Sequence, residues 1–219
     1  MASLPKLFVV GVGPGAPDML TDGAKRIITS ADLVVGWTEA IQVVKGLPLK
    51  ASPRVQNEAN VWEVANEVAE EARTRGLTVC VLRTGDVTVS SAINKVLEPF
   101  SGFEVELVPG ISSVQVAAAK ARISLEDSVI VSFHKVADRD KSFGFIKMAY
   151  ENGKHLVILC DEDYPPEALA GRLSPILGEG TKAMVCYNLT LNEGIAVGSL
   201  AELSNGTYPI LSVVVVFNS

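Results

Sequence analysis

Two hydrophobic rhythms alternate along the chain. Short apolar runs at residues 7–10, 33–36 and 77–82 read as buried strands, and Glu104-Val105-Glu106-Leu107-Val108 reads as a further strand. Between them, apolar residues recur at helical spacing. Thr21 or Asp22 can cap a helix that runs through Thr29, and Val61, Val64, Ala65, Val68 and Ala72 form a stripe that stops at Gly76. The opening of that stripe, Asn60-Val61-Trp62-Glu63, resembles a capping box, while Pro48 and Pro53 bracket a brief strand or loop. A further helix is predicted over 114–120. Strands alternating with helices predict an α/β protein with largely parallel pairing.

In the second half the rhythm changes. Strands at 128–133 and 155–160 still alternate with helices, at 143–150 and at 167–173, the latter opened by Pro165-Pro166. Three strands then follow one another at 182–187, 194–198 and 209–217, with the turn signal Asn205-Gly206 before the last. Neighbouring strands of this kind predict antiparallel pairing. The 219 residues therefore read as two lobes: 1–112, with a mostly parallel sheet, and 113–219, with a mixed sheet.

Three of the strands end in loops that carry chemistry. The first reads Gly11-Val12-Gly13-Pro14-Gly15-Ala16-Pro17-Asp18, a partial match to the dinucleotide fingerprint with Ala16 in place of its third glycine. Pro14 and Pro17 remove two amide donors that a phosphate cradle would use, which leaves a dinucleotide-binding oxidoreductase as the weaker alternative. The second loop, Arg83-Thr84-Gly85-Asp86-Val87-Thr88-Val89-Ser90-Ser91, is either a turn with a helix cap or a ligand loop at a strand's carboxyl end. In the third, Pro109-Gly110-Ile111-Ser112-Ser113, the serines are either plain N-caps or offer hydroxyls and free first-turn amides to a ligand.

Composition narrows the picture. With 48% hydrophobic and 20% charged residues a soluble globular protein is expected, and the best apolar run, 210–217, is far too short to span a bilayer. The first six residues lack signal-peptide features, so the cytoplasm is the expected location. A net charge of −6 argues against a nucleic-acid partner. Cys80, Cys160 and Cys186 lie inside apolar runs without CxxC spacing and read as buried thiols, with neither a disulfide nor a metal site implied.

Taken in order, GVGPGAPDMLTDGAKRIITSADLVVG, the RxGD loop at Arg83 to Asp86, and VPGISSVQVAAA resemble the tetrapyrrole (corrin/porphyrin) methylase family over essentially the whole chain. The resemblance implies a two-lobe fold with a cofactor cleft between the lobes, S-adenosylmethionine as methyl donor and S-adenosylhomocysteine as product. The PGISSVQ form of the third loop, the segment Val131 to His134, the run Leu159 to Pro166 and the turn Tyr187-Asn188-Leu189-Thr190 are most similar to the branch that methylates ring carbon 5 of a cobalt-precorrin of the precorrin-7 (6Y) type in cobalamin synthesis. Uroporphyrinogen III, diphthine and ribosomal RNA remain as substrates of the same fold. Longer members of that branch carry a decarboxylating carbon-15 methyltransferase, for which no residues remain here, so a separate such enzyme is expected. A homodimer is the usual family assembly. In one respect the chain departs from the family: the second loop normally reads Gly-Asp-Pro, and Val87 in place of the proline is expected to loosen it.

By the same resemblance the cofactor would touch Pro14, Gly85, Asp86, Val89, Ser112 and Ser113 from the first lobe and its boundary, and Leu159, Cys160, Asn188 and Leu189 from the second. For Leu159, Cys160 and Leu189 plain core is an equal reading. Methyl transfer from a sulfonium to a nucleophilic ring carbon requires no protein nucleophile, so positioning is the enzyme's main contribution. A base for the product proton would be Asp86 or His134, the latter read first as a structural or substrate-contacting histidine. A substrate with several carboxylate arms wants local cations, and His134, Lys135, Arg139 and Lys141 form the densest basic stretch, which is equally a solvated loop.

Overall fold

The computed structural model of the protein describes residues 4–90, 92–134 and 138–218. The chain divides into two compact units, Met1–Ser112 and Ser113–Ser219, each built on its own five-stranded sheet.

In the first unit the elements run β1 (Lys6–Gly11), α1 (Asp22–Ser30), β2 (Leu33–Trp37), α2 (Thr38–Val44), β3 (Arg54–Gln56), α3 (Val61–Arg75), β4 (Val79–Arg83), α4 (Ile93–Leu97) and β5 (Glu104–Val108). The strand order is β3-β2-β4-β1-β5, and all four pairings are parallel. Leu7, Val9, Val79 and Val81 face one layer, with α3, Phe100 and Phe103; Val10, Cys80 and Leu82 face the other, with Ala24, Ile28 and Val43. Burial on both faces is why β1, β2 and β4 read as apolar runs. Because β1 lies between β4 and β5 and all three run the same way, the loops that leave their carboxyl ends are neighbours.

Local chemistry sets the helix ends. Thr21 Oγ1 accepts the Ala24 amide at 3.1 Å to open α1, and Gly76, at φ 65°, closes α3 in the left-handed conformation that glycine adopts without strain. The capping box expected at Asn60-Val61-Trp62-Glu63 does not form. The Asn60 side-chain oxygen accepts the Asn57 amide at 2.7 Å instead, in the turn before the helix. Strand β3 follows Pro53 rather than lying between the two prolines, and α2 and α4, seven and five residues long, are too short to leave a periodic signal.

The second unit runs α5 (Ser113–Ala121), β6 (Ser128–Ser132), α6 (Arg139–Glu151), β7 (His155–Leu159), α7 (Pro166–Leu177), β8 (Lys182–Tyr187), β9 (Gly194–Ser199), α8 (Leu200–Leu203) and β10 (Ser212–Val216). Its sheet has the order β6-β7-β10-β8-β9; β6 and β7 are parallel, and β10 runs antiparallel to β7 and β8, as β9 does to β8. Phe133, Ile146, Leu156, Ile158, Leu169, Leu173, Val214 and Val216 fill its core. Asp138 caps α6 through the Lys141 amide at 3.1 Å, so that helix starts before the expected residue 143. The Asn205-Gly206 signal does not turn a hairpin; it follows α8, whose capping box is Ser199 with Glu202. Strand β10 begins at Ser212, after a loop over 209–211 that the sequence assigns to strand. Among the described residues no helix is long and apolar enough to cross a membrane.

Candidate functional site

The three strand-end loops of the first unit are knitted together by their glycines. Gly13 donates to the Gly85 carbonyl at 3.2 Å, and Gly85 returns a bond to the Gly13 carbonyl at 2.7 Å, forming an antiparallel bridge between the first and second loops. Both residues have positive φ, 87° and 73°, which glycine alone adopts at little cost. Val12 adds a bond to the Arg83 carbonyl at 2.9 Å. Gly11 and Gly110 face each other across the same point. A β-carbon on Gly11 would lie 2.6 Å from the Gly85 carbonyl oxygen and 2.7 Å from the Gly110 nitrogen, and one on Gly110 would run into the same carbonyl. The sequence gives these glycines a role in turn geometry and ligand approach. Their packing shows another: backbone meets backbone where no side chain fits.

One carboxylate completes the knot. Asp86 is buried, its Oδ2 accepts the Gly110 amide at 2.9 Å, and its Oδ1 accepts the Thr88 amide at 2.8 Å together with the Thr88 hydroxyl. Burial alone would raise this carboxyl. The Thr88 side chain and amide, the Gly110 amide and the Val87 amide outweigh that effect and hold it below the usual carboxylate range. Asp86 is therefore a fixed anion that ties the second loop to the third, and its oxygens are already engaged. Val87, at the position expected to loosen the loop, is itself tied into it. Its side chain is buried against the layer that contains Val35 and Phe100, and its amide adds a hydrogen bond to Asp86 that proline has no N–H to make. Thr88, which closes the turn, carried no signal in the sequence beyond being a small polar residue after Gly-Asp.

The other predicted residues of this unit border the knot. Pro14 follows Gly13, Val89 donates its amide to the Asp86 carbonyl at 3.4 Å, and Ser112 is buried immediately before Ser113, the first residue of α5.

In the second unit, strand pairing collects the remaining candidates. β10 lies between β7 and β8 and antiparallel to both, so its start meets their ends: Val213 pairs with Leu159 and Ser212 with Tyr187. Leu159, Cys160, Asn188 and Leu189 thus share one edge of that sheet. The Asn188 amide donates to the Leu211 carbonyl at 3.0 Å, which brings in the 209–211 loop that the sequence assigns to strand. Leu159, Cys160 and Leu189 are buried. Burial pushes the Cys160 thiol up to about 12 and that of Cys186 to about 11, and it raises Cys80 as well, so none of the three serves as a nucleophile at neutral pH. Five non-glycine residues among those described have positive φ, and four of them, Ser90, Ala92, Asn188 and Thr190, lie in the two segments that follow β4 and β8. Conformations of this cost collect where a binding surface is held in a set shape.

The basic stretch is not a row of unpaired cations. The Arg139 guanidinium binds Asp161 at 3.1 Å and Asp163 at 2.6 Å, and Lys141 lies 3.3 Å from the Asp138 carboxylate while remaining largely exposed. His134 is exposed, its amide donating to Ser132 Oγ at 3.2 Å; Lys135 lies outside the described residues.

Two α/β units, the first with glycine-knitted strand ends, match a known class of enzyme. The model of the tetrapyrrole (corrin/porphyrin) methylases matches residues 6–204, and the chain belongs to that family; it is a methyltransferase by class. Set against this, the dinucleotide-binding reading falls away. Within the family, the chain is 32% identical over 216 residues to a probable cobalt-precorrin-7 C(5)-methyltransferase of Methanocaldococcus jannaschii, an alignment covering 95% of this chain and 96% of the relative. The crystal structure of a precorrin-6Y methylase from Archaeoglobus fulgidus matches with a TM-score of 0.73 at 24% identity, covering 98% of each chain. That of a cobalt precorrin-4 methyltransferase matches with a TM-score of 0.78 at 20% identity, over 97% of this chain and 94% of that one. At these identities the two structures speak to the fold.

Proposed function

We propose that this protein transfers the methyl group of S-adenosylmethionine to ring carbon 5 of a cobalt-precorrin of the precorrin-7 type, in cobalamin synthesis. One observation carries the substrate: the Methanocaldococcus relative named for that reaction aligns end to end with this chain at 32% identity. The loops support the cofactor. Pro14, Gly85, Asp86, Val89, Ser112 and Ser113, with Leu159, Cys160, Asn188 and Leu189, offer the small residues, apolar walls and backbone groups that an adenosine with an amino-acid tail requires. Positive φ at Asn188 itself, and at Ser90, Ala92 and Thr190 near these positions, fits a surface held ready for such a ligand.

When bound, S-adenosylmethionine supplies a methyl on a positively charged sulfur. The new bond forms between that methyl and the ring carbon, which provides the electron pair, while the carbon–sulfur bond breaks and its pair stays on sulfur as the thioether. The chain's own task is to hold the two reactants in line and keep water out, an effect worth roughly 7–11 kcal/mol of barrier. Asp86, hydrogen-bonded through both oxygens and held acidic, shapes the loops and is a poor proton acceptor. That leaves His134 as the group we assign to take a proton from the methylated ring. Lys135 and Lys141 are assigned to substrate carboxylates. The same reading carries a cytoplasmic homodimer and a separate decarboxylating carbon-15 methyltransferase; the Sinorhizobium sp relative named for both carbons aligns over 30% of its own length.

The reading is tested by incubating the protein with S-adenosylmethionine and cobalt-precorrin-7 and following the product by mass spectrometry. One added methyl group at carbon 5 is expected. No mass gain there, with a gain on uroporphyrinogen III or diphthine instead, would reassign the substrate within the family.

A further inference from the structure

We infer that Arg139 is a positioning residue for the cofactor-side edge of the second unit and does not bind substrate. Three observations converge on it. First, one guanidinium nitrogen, Nη2, bridges two carboxylates of one loop, Asp161 at 3.1 Å and Asp163 at 2.6 Å, so the charge is already committed to the chain itself. Second, the loop is built around the nearer of these carboxylates: Asp161 Oδ1 accepts the Tyr164 amide at 2.8 Å, and the Asp161 amide donates back to the Tyr164 carbonyl at 3.4 Å. Third, the guanidinium carbon stands 4.9 Å from the Tyr164 ring centroid, and that ring packs on Phe133 and Phe143 with centroid separations of 5.3 and 5.6 Å.

Arg139 is the first residue of α6, so it belongs to the segment that leaves β6, whereas Asp161, Asp163 and Tyr164 belong to the segment that leaves β7. β6 and β7 are parallel neighbours, so both segments leave the same edge of the sheet. The bridge therefore fixes the chain immediately after Leu159 and Cys160, two of the residues assigned to the cofactor. A guanidinium suits this task better than an ammonium group, because its planar face can lie on the Tyr164 ring while Nη2 serves both carboxylates.

This inference rests on the proposed function, since it gives the edge a cofactor to position. The test combines two readouts on the full-length protein, hydrogen exchange without ligand and calorimetric binding of adenosylhomocysteine. In R139A the Tyr164 amide should exchange faster, and the dissociation constant for adenosylhomocysteine should rise about tenfold, equivalent to one charge-assisted hydrogen bond. The Michaelis constant for the corrinoid should stay unchanged, and R139K should restore part of the affinity. A raised corrinoid Michaelis constant with unchanged adenosylhomocysteine binding would place Arg139 on the substrate and overturn the inference. So would a Tyr164 amide that exchanges no faster. Should R139A fold poorly, D163N leaves the Asp161 contact in place and should shift binding in the same direction by a smaller factor; no shift there also overturns it. Wild-type protein that binds no adenosylhomocysteine sinks the proposed function together with this inference, whereas intact wild-type binding that ignores R139A sinks this inference alone.

Discussion

The strand-end loops of the two units are held by different means. In the first unit, Gly11, Gly13, Gly85 and Gly110 bring backbone against backbone, and the Asp86 side chain that ties two of the loops is buried and bonded to main-chain amides. In the second unit, side chains do the joining: Arg139 to Asp161 and Asp163, and Tyr164 to Phe133 and Phe143. The difference decides what each edge tolerates. A backbone knot fails when any atom is added to it, while a side-chain bridge weakens by degrees as its charges and rings are changed. The first unit's edge is accordingly rigid in position and strict in sequence, and the second unit's is adjustable.

The sharpest break in that comparison is G110A. The added methyl has no room between the Gly85 carbonyl and Gly11, and the contact is main chain on main chain, so no rotamer change relieves it. We expect destabilisation at the upper end of the overpacking range, about 3 kcal/mol, measured by denaturant unfolding, together with loss of adenosylhomocysteine binding. G144A, at a position where a β-carbon meets nothing within 4 Å on helix α6, is the control and should be neutral or stabilising. Equal behaviour of the two variants would dissolve the distinction between the knot and an ordinary glycine.

Next in size is D86N. An amide keeps the shape of the side chain but not the charge, and it turns one acceptor into a donor that faces amide N–H groups. A loss of about 2 kcal/mol is expected, the scale of hydrogen bonds made to a charged group. The acid limb gives an independent check. Because the folded Asp86 carboxyl lies below its ordinary value of about 3.9, its contribution is fully present above that pH and disappears as the pH falls through the lower folded value. Wild-type stability should therefore drop along that acid limb more steeply than D86N stability. Parallel acid limbs would show that Asp86 does not act as a charged latch.

These contrasts also explain what the sequence could and could not reveal. Buried parallel strands announce themselves, since β1, β2 and β4 bury both faces and can only be apolar; the knot announces itself through Gly11, Gly13, Gly85 and Gly110, all set at strand ends. Its purpose was less legible, because spacing alone does not distinguish a glycine that admits a ligand from one that admits another loop. The pairing of Arg139 was illegible for a related reason: local charge density in 134–141 suits a substrate contact and a solvated loop equally, and the carboxylates that bind Arg139 sit 22 and 24 positions further along the chain. Asn60 and Ser199 are both followed three residues later by glutamate, yet only Ser199 forms a capping box, because the Asn60 side chain is engaged by the Asn57 amide in the turn before its helix.

The smallest expected effect, and the most discriminating, belongs to V87P. Proline is what the family's second loop usually carries after Gly-Asp, and it would stiffen the unfolded chain, a gain of up to about 1 kcal/mol where the backbone accepts it. Here the exchange also removes an amide that donates to Asp86 and a buried side chain packed in the layer with Val35 and Phe100. A lost hydrogen bond of roughly 1 kcal/mol to the carboxylate cancels the entropic gain, and the packing loss leaves a net destabilisation of about 1 kcal/mol. The Asp86 carboxyl should move up toward its ordinary range as one of its donors disappears, visible as an acid limb displaced to higher pH. If V87P instead stabilises the protein with an unmoved acid limb, the Val87 amide contributes nothing to the latch, and the Thr88 and Gly110 donors hold Asp86 by themselves.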